Sequence, residues 1–237
     1  MPSYVTIARQ FRGLPSSGNG GYAVGLIAEA IGSACDARLS VPPPLDTPMA
    51  RVEDESVVRL TFGDIVIGEG RSTSPDWPVP DPVPFALAEA AGMAFRGFQH
   101  HRSPECFVCG PERSVGDGLR IFPGPIDRSD LVATVWRPHE SFIDAGGLVS
   151  ERVMWAALDC PSYFAMADSP SAVLGRMRGS VGIRPESGQP LIVLGWPGPR
   201  EGRKRMAGSA IFTADGVQLA SSEAVWVEVS ELPLPPG

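Results

Sequence analysis

The chain has 237 residues, 43% of them hydrophobic and 20% charged, and a net charge of −7. This balance fits a globular protein with a substantial core, and the acidic excess argues against a nucleic-acid or anionic-membrane partner. Four cysteines (Cys35, Cys106, Cys109, Cys160) are too few for a disulfide scaffold of this size. Met1 to Arg12 holds no apolar leader and no run of about 18 apolar residues exists, so no membrane span and a reducing, cytoplasmic setting are expected.

Tyr4 to Phe11 alternates and predicts a strand. Ser17-Gly18-Asn19-Gly20-Gly21-Tyr22 is a glycine-rich turn that feeds an apolar helix over about 20–34, whose only charge is Glu29. The first amides of such a helix are unpaired and sit at the positive end of its dipole, ready for a carbonyl oxygen or an anion. Strands follow at Ala37 to Val41, Pro48 to Glu53, Ser56 to Phe62 and Ile65 to Ser72, with Gly63-Asp64 as a hairpin turn. Residues 74–83 are proline-rich and extended, and Pro84 to Phe98 predicts a connector helix. The second part opens with Cys106-Phe107-Val108-Cys109-Gly110-Pro111 and contains a strand over Leu131 to Trp136. Ser150 then caps a helix that runs to about Ala167 and contains Asp159 and Pro161. Val173 to Arg184, Leu191 to Trp196, Lys204 to Phe212 and Val217 to Val229 are four further strands.

The two parts repeat one another. Glu29 and Asp159 are each the acid inside an apolar helix, Pro43 and Pro48 match Pro185 and Pro190 in spacing, Met49 matches Leu191, and Asp64 matches Asp215 at the last hairpin. The expected fold is α+β: a unit over 1–73 and a unit over 105–237, each a long helix wrapped by a curved antiparallel sheet, joined by 74–104. One such unit leaves a sheet edge open, and two can join edge to edge.

Asn19-Gly20-Gly21-Tyr22 with its apolar helix resembles the start of the acyl-CoA thioesterase type of hot-dog domain. Cys106 to Pro111, Gly118-Leu119-Arg120 and Leu158-Asp159-Cys160 resemble another branch of that superfamily, as does Gly202-Arg203-Lys204 before a long strand. The resemblance implies a double hot-dog chain that mimics a homodimer, acting on an acyl thioester such as a coenzyme A ester without a cofactor. It also implies that the carbonyl meets the N-terminus of one helix while an acid from the other helix activates water. The glycine turn then pairs with Asp159: Asp159 as base, Gly21 N–H as oxyanion donor, and Asn19 orienting carbonyl or water. Many relatives have a histidine where Asn19 stands. Gly20, Tyr22, Ser150, Glu29, Tyr163 and Arg203 are candidate substrate contacts. The mirror pair of Ser150 with Glu29 lacks the two glycines and is expected to be degenerate.

Competing readings stand beside these. Asp159 could be a buried acid satisfied by its neighbours, and the whole chain a non-catalytic module that binds an acyl or aromatic ligand or serves as a scaffold. A hydratase would want an acid and a histidine close together on one loop, which is not seen. Cys106 and Cys109 have CxxC spacing. A zinc site with His100 or His101 and a redox pair are both open, but two small buried residues in a tight turn is the favoured reading, so no metal is assigned. His139 is expected near the second helix start. The Arg200, Arg203, Lys204, Arg205 cluster is either a coenzyme A phosphate contact or a solvated hairpin tip. Residual sheet edges would permit a further homodimer.

Overall fold

The computed structural model describes residues 3–166, 168 and 171–236. Two helices form the spine. Helix α1 spans Gly20–Ile31 and buries Gly21 through Ala28 without a break. Helix α3 spans Glu151–Phe164, continues through Pro161, and is buried from Val153 to Ser162. They pack directly on each other. A Cβ on Gly21 would lie 2.6 Å from the Trp155 carbonyl oxygen, and one on Gly25 would lie 2.6 Å from the Arg152 Cα. Two glycines one turn apart therefore let the backbones approach as larger residues would not.

The strands are β1 (Ser3–Val5), β2 (Cys35–Leu39), β3 (Met49–Asp54), β4 (Val57–Phe62), β5 (Ile65–Ser72), β6 (Gly124–Pro125), β7 (Val132–Trp136), β8 (Ala172–Val181), β9 (Leu191–Glu201), β10 (Lys204–Thr213) and β11 (Gln218–Glu228). All join one 11-stranded sheet in the order β1-β3-β4-β5-β2-β8-β11-β10-β9-β7-β6. From the β2–β8 seam outward the two sides read alike: β2-β5-β4-β3-β1 against β8-β11-β10-β9-β7. Each side follows the helix–strand order of the predicted repeat, and Met49 and Leu191 both open the second strand after their helix. The seam is antiparallel, with Ala37 opposite Met177, and Asp36 on β2 forms a two-pronged ion pair with Arg176 on β8 at 2.7 and 2.6 Å. The open edge that either half would expose alone is closed by the other.

The expected strand over Tyr4 to Phe11 stops early. After β1 the chain leaves the sheet edge and forms a short 3₁₀ turn at Arg9–Phe11. The departure lays the Phe11 ring on Tyr22, stacked at 4.3 Å, and lets the Phe11 carbonyl accept the Asn19 amide at 2.8 Å. The connector is more than a spacer. Helix α2 (Phe85–Met93) packs on β7 so closely that a Cβ on Gly92 would lie 2.6 Å from Thr134 Oγ1. Ala88 and Ala91 join Ile192, Leu194 and Phe212 in a second small core on the face of β9 and β10 that points away from α3. Trp77 anchors the proline-rich stretch, donating from its indole nitrogen to Ser221 Oγ at 3.0 Å. No helix among the described residues is long and apolar enough to cross a membrane.

Candidate active site

The loop before α1 is pinned by backbone bonds from Gly13 N to Ser17 O (3.0 Å) and from Gly18 N to Pro43 O (2.9 Å). Asn19 caps the helix, its Oδ1 accepting the Tyr22 amide at 2.9 Å. Its other side-chain atom, Nδ2, donates to Asp159 Oδ2 at 2.6 Å, and Gly21 N donates to the same oxygen at 3.0 Å. One asparagine thus caps its own helix and clamps an acid from the other helix. A capping serine lacks the second group, and an aspartate would repel Asp159.

Asp159 is 3% exposed, and its Oδ1 is buried with no partner among the described residues. Burial raises its pKa to about 7. The Gly21 N–H and the Asn19 amide oppose that shift, while the nearby Cys106 adds to it. A Cβ on Gly21 would lie 2.8 Å from the Asp159 Cβ, so glycine is what allows this approach. The Gly21 N–H, expected as oxyanion donor, is engaged by Asp159 itself. The Gly20 N–H one residue earlier donates to no described group.

A cavity of about 740 Å³ opens beside these residues. Asn19, Gly20 and Asp159 line it together with Tyr163, and Leu39, Val41, Leu174 and Trp226 give it apolar walls. Arg96, His100 and Arg102 also border it, as do Leu232 and Leu234 of the C-terminal segment. Cys106, Cys109 and Cys160 form part of the same wall, with their Sγ atoms all within 4.8 Å of one another. Hydrogen bonds from the Cys109 and Cys160 thiols hold the Cys106 thiol below its ordinary range, while burial raises Cys109 and the bond to Cys106 raises Cys160. The CxxC spacing marked two of these residues; the third could not be placed without the fold.

Four predicted contacts lie away from the cavity. Tyr22 is a core ring between Phe11 and Phe107. Arg203 stands at the β9–β10 hairpin, where its carbonyl accepts the Glu228 amide at 2.8 Å. Its neighbours Arg200 and Arg205 are paired with Glu228, and none of the cluster lines the cavity described above. Ser150 and Glu29 form the mirror of Asn19 and Asp159, closed by a side chain. Arg152, two residues after the Ser150 cap as Gly21 is two after Asn19, donates its amide to Glu29 Oε1 at 3.3 Å. Its guanidinium takes both carboxylate oxygens at 2.8 Å. His139 lies near the second helix start, but its ring is bound to Ser141 and does not line the cavity.

Solved structures share this architecture across nearly the whole chain. A protein of Novosphingobium aromaticivorans assigned provisionally as a thioesterase superposes with a TM-score of 0.63 at 12% identity, covering 96% of this chain and 95% of its own. The fold is a double hot-dog. The tesB protein of Mycobacterium avium subspecies paratuberculosis has the same double hot-dog at a TM-score of 0.57 and 13% identity, covering 98% and 92%. The acyl-CoA thioesterase II TesB2 of Mycobacterium marinum gives 0.55 and 11%, covering 94% and 91%. No family model and no curated protein matches the sequence.

Proposed function

We propose that this double hot-dog protein hydrolyses acyl thioesters, with Asp159 as the general base. The observation that carries the reading is the meeting of Asp159 from one unit with the N-terminus of α1 from the other, at the wall of a largely apolar cavity. The thioester carbonyl lies against the Gly20 amide, where the helix dipole favours developing negative charge. Asp159 Oδ2 is fixed by Asn19 and Gly21, which leaves the buried, unpartnered Oδ1 as the oxygen that accepts from a water once one is admitted from the cavity. Asp159 takes a proton as that water attacks the carbonyl carbon. The tetrahedral oxyanion then collapses, the C–S bond breaks, and the thiolate leaves and is reprotonated. Arg96 and Arg102 suit the phosphates of a coenzyme A ester, and the apolar walls suit its acyl group.

The engagement of the Gly21 amide favours a second reading, in which the cavity binds an acyl or aromatic ligand without turnover. A panel of aliphatic and aromatic acyl-CoA esters, followed by thiol release on the wild type and on Asp159→Asn, separates the two. Release that the substitution abolishes supports hydrolysis, and saturable binding with no thiol release on any ester supports the module.

A further inference from the structure

The mechanism above leaves the three cavity-wall cysteines without a task. They come from two distant places. Cys106 and Cys109 sit on one tight turn, and Cys160 follows Asp159 on α3. The turn is built rigidly: Gly110 N donates to Cys106 O at 2.9 Å and Cys106 N to Ser103 O at 2.8 Å. A Cβ on Gly110 would lie 2.5 Å from the carbonyl oxygens of both Cys106 and Pro104, so this position accepts only glycine. The segment is also tied on both flanks, with Phe107 N bonded to Arg12 O at 2.8 Å and Ile121 N to Val108 O at 2.9 Å. The backbones of Val108 and Cys109 also hydrogen-bond the Cys106 sulfur, which fixes its position. None of the four cysteines is in a disulfide, and all three cluster members are buried.

One sulfur pair already stands at the separation a metal would require. Thiolates held at about 2.3 Å around a tetrahedral zinc ion stand about 3.8 Å apart. Cys106 Sγ and Cys160 Sγ are 3.7 Å apart. We propose that Cys106, Cys109 and Cys160 bind a thiophilic d¹⁰ cation, zinc first among them, through three sulfurs, with the fourth coordination position open to the cavity. His101, the obvious nitrogen donor, does not complete the set. Its Nδ1 accepts the Ser103 amide at 3.0 Å, which leaves the ring proton on Nε2, the atom a metal would need bare. A three-sulfur site with an open position takes a solvent molecule or an incoming ligand atom as its fourth partner. Binding converts thiols to thiolates, so protons leave as the metal enters and no electron changes hands. The site does not depend on thioester hydrolysis.

The experiment uses the full chain, purified under reducing conditions. Zinc is counted per chain after dialysis, cobalt(II) is then titrated into metal-free protein, and the proton release on zinc addition is measured in weak buffer. The expected result is about one ion per chain, a sulfur-to-cobalt charge-transfer band with tetrahedral d–d absorption, and proton release. Cys106→Ser, Cys109→Ser and Cys160→Ser each abolish the band, and Cys35→Ser, which alters the buried cysteine outside the cluster, keeps it. Should a cluster variant fail to fold, the wild-type cobalt spectrum decides alone. Reduced wild type that takes up neither zinc nor cobalt, or cobalt uptake without a charge-transfer band, overturns the proposal. So does loss of the band in a folded Cys35→Ser chain with its retention in Cys160→Ser.

Discussion

Asp159→Asn is the substitution in which chemistry and folding should separate most cleanly. The asparagine side chain is nearly isosteric, and its amide oxygen can take the place of Oδ2, still accepting from Asn19 Nδ2 and Gly21 N. Two hydrogen bonds fall from charge-assisted to neutral, a loss of about 1 kcal/mol each. Against this, the substitution removes a buried charge whose desolvation is the largest influence on Asp159. These effects oppose each other, so stability should move by no more than about 2 kcal/mol in either direction. At this chain length that is a melting shift of roughly 4–8 °C. Turnover should fall much further. A general base contributes about 10²–10⁴-fold, equivalent to about 3–5 kcal/mol of barrier.

The assay is thiol release from the best acyl-CoA ester of the panel, read beside a thermal melt. Asn19→Ala is the companion variant, because it leaves the carboxylate in place but removes a charge-assisted hydrogen bond and a helix cap together. It should destabilise by about 2–4 kcal/mol and lower turnover less than Asp159→Asn does. A folded Asp159→Asn protein that keeps more than about a tenth of wild-type turnover would refute the base assignment, since that is outside the general-base range.

Gly21→Ala should destabilise by about 1–3 kcal/mol or more in urea denaturation and depress turnover, because its methyl would lie 2.6 Å from the Trp155 carbonyl oxygen and push the helices apart. Glu29→Gln should weaken the fold by about 1 kcal/mol, given that Arg152 is 40% exposed and its pairing is screened. It should leave turnover within a few-fold of wild type in the same thiol assay. Asp36→Asn should loosen the β2–β8 seam by about 1 kcal/mol at neutral pH. The hydrogen bond from Arg176 holds Asp36 below the usual carboxylate range. Its contribution is therefore complete above the unfolded value of about 3.9 and fades as the pH falls through the lower folded value. Urea midpoints of wild type and Asp36→Asn should accordingly differ at pH 7 and converge in strong acid.

Much of this architecture could be read from the chain because the repeat is carried by punctuation as well as by apolar residues. Prolines at 43, 48, 185 and 190 and the turns at Asp64 and Asp215 recur in order, and they bracket strands that the fold places symmetrically about the seam. Asp159 is visible as an acid inside an apolar helix, and its pairing with Asn19 is what the resemblance to hot-dog thioesterases implies. What stayed hidden depends on distances across the fold. Nothing local shows that Phe11 leaves its strand to cover Tyr22, since β-alternation and a ring placed for stacking have the same residue pattern. Nothing local brings Cys160 to Cys106 either, 54 positions away. Nothing local shows either that Tyr22, Ser150, Glu29 and Arg203 stand outside the cavity wall while Gly20 and Tyr163 line it.

The two halves also show how a near-symmetric scaffold supports one open acid and one closed acid. In both, an acid from one helix accepts the amide two residues after the cap of the other, Gly21 to Asp159 and Arg152 to Glu29. Glycine supplies only that amide, so the acid keeps one oxygen without a described partner and the helices close tightly around it. Arginine supplies the amide and a guanidinium that covers both oxygens of Glu29. The residue type at that single position accounts for Glu29 being committed to an ion pair while Asp159 is not. Gly21→Arg would not convert the first site into the second, because the Trp155 backbone occupies the space its side chain needs. Arg152→Gly should, in contrast, free Glu29, and the half-exposed ion pair lost there is weak enough for the fold to survive.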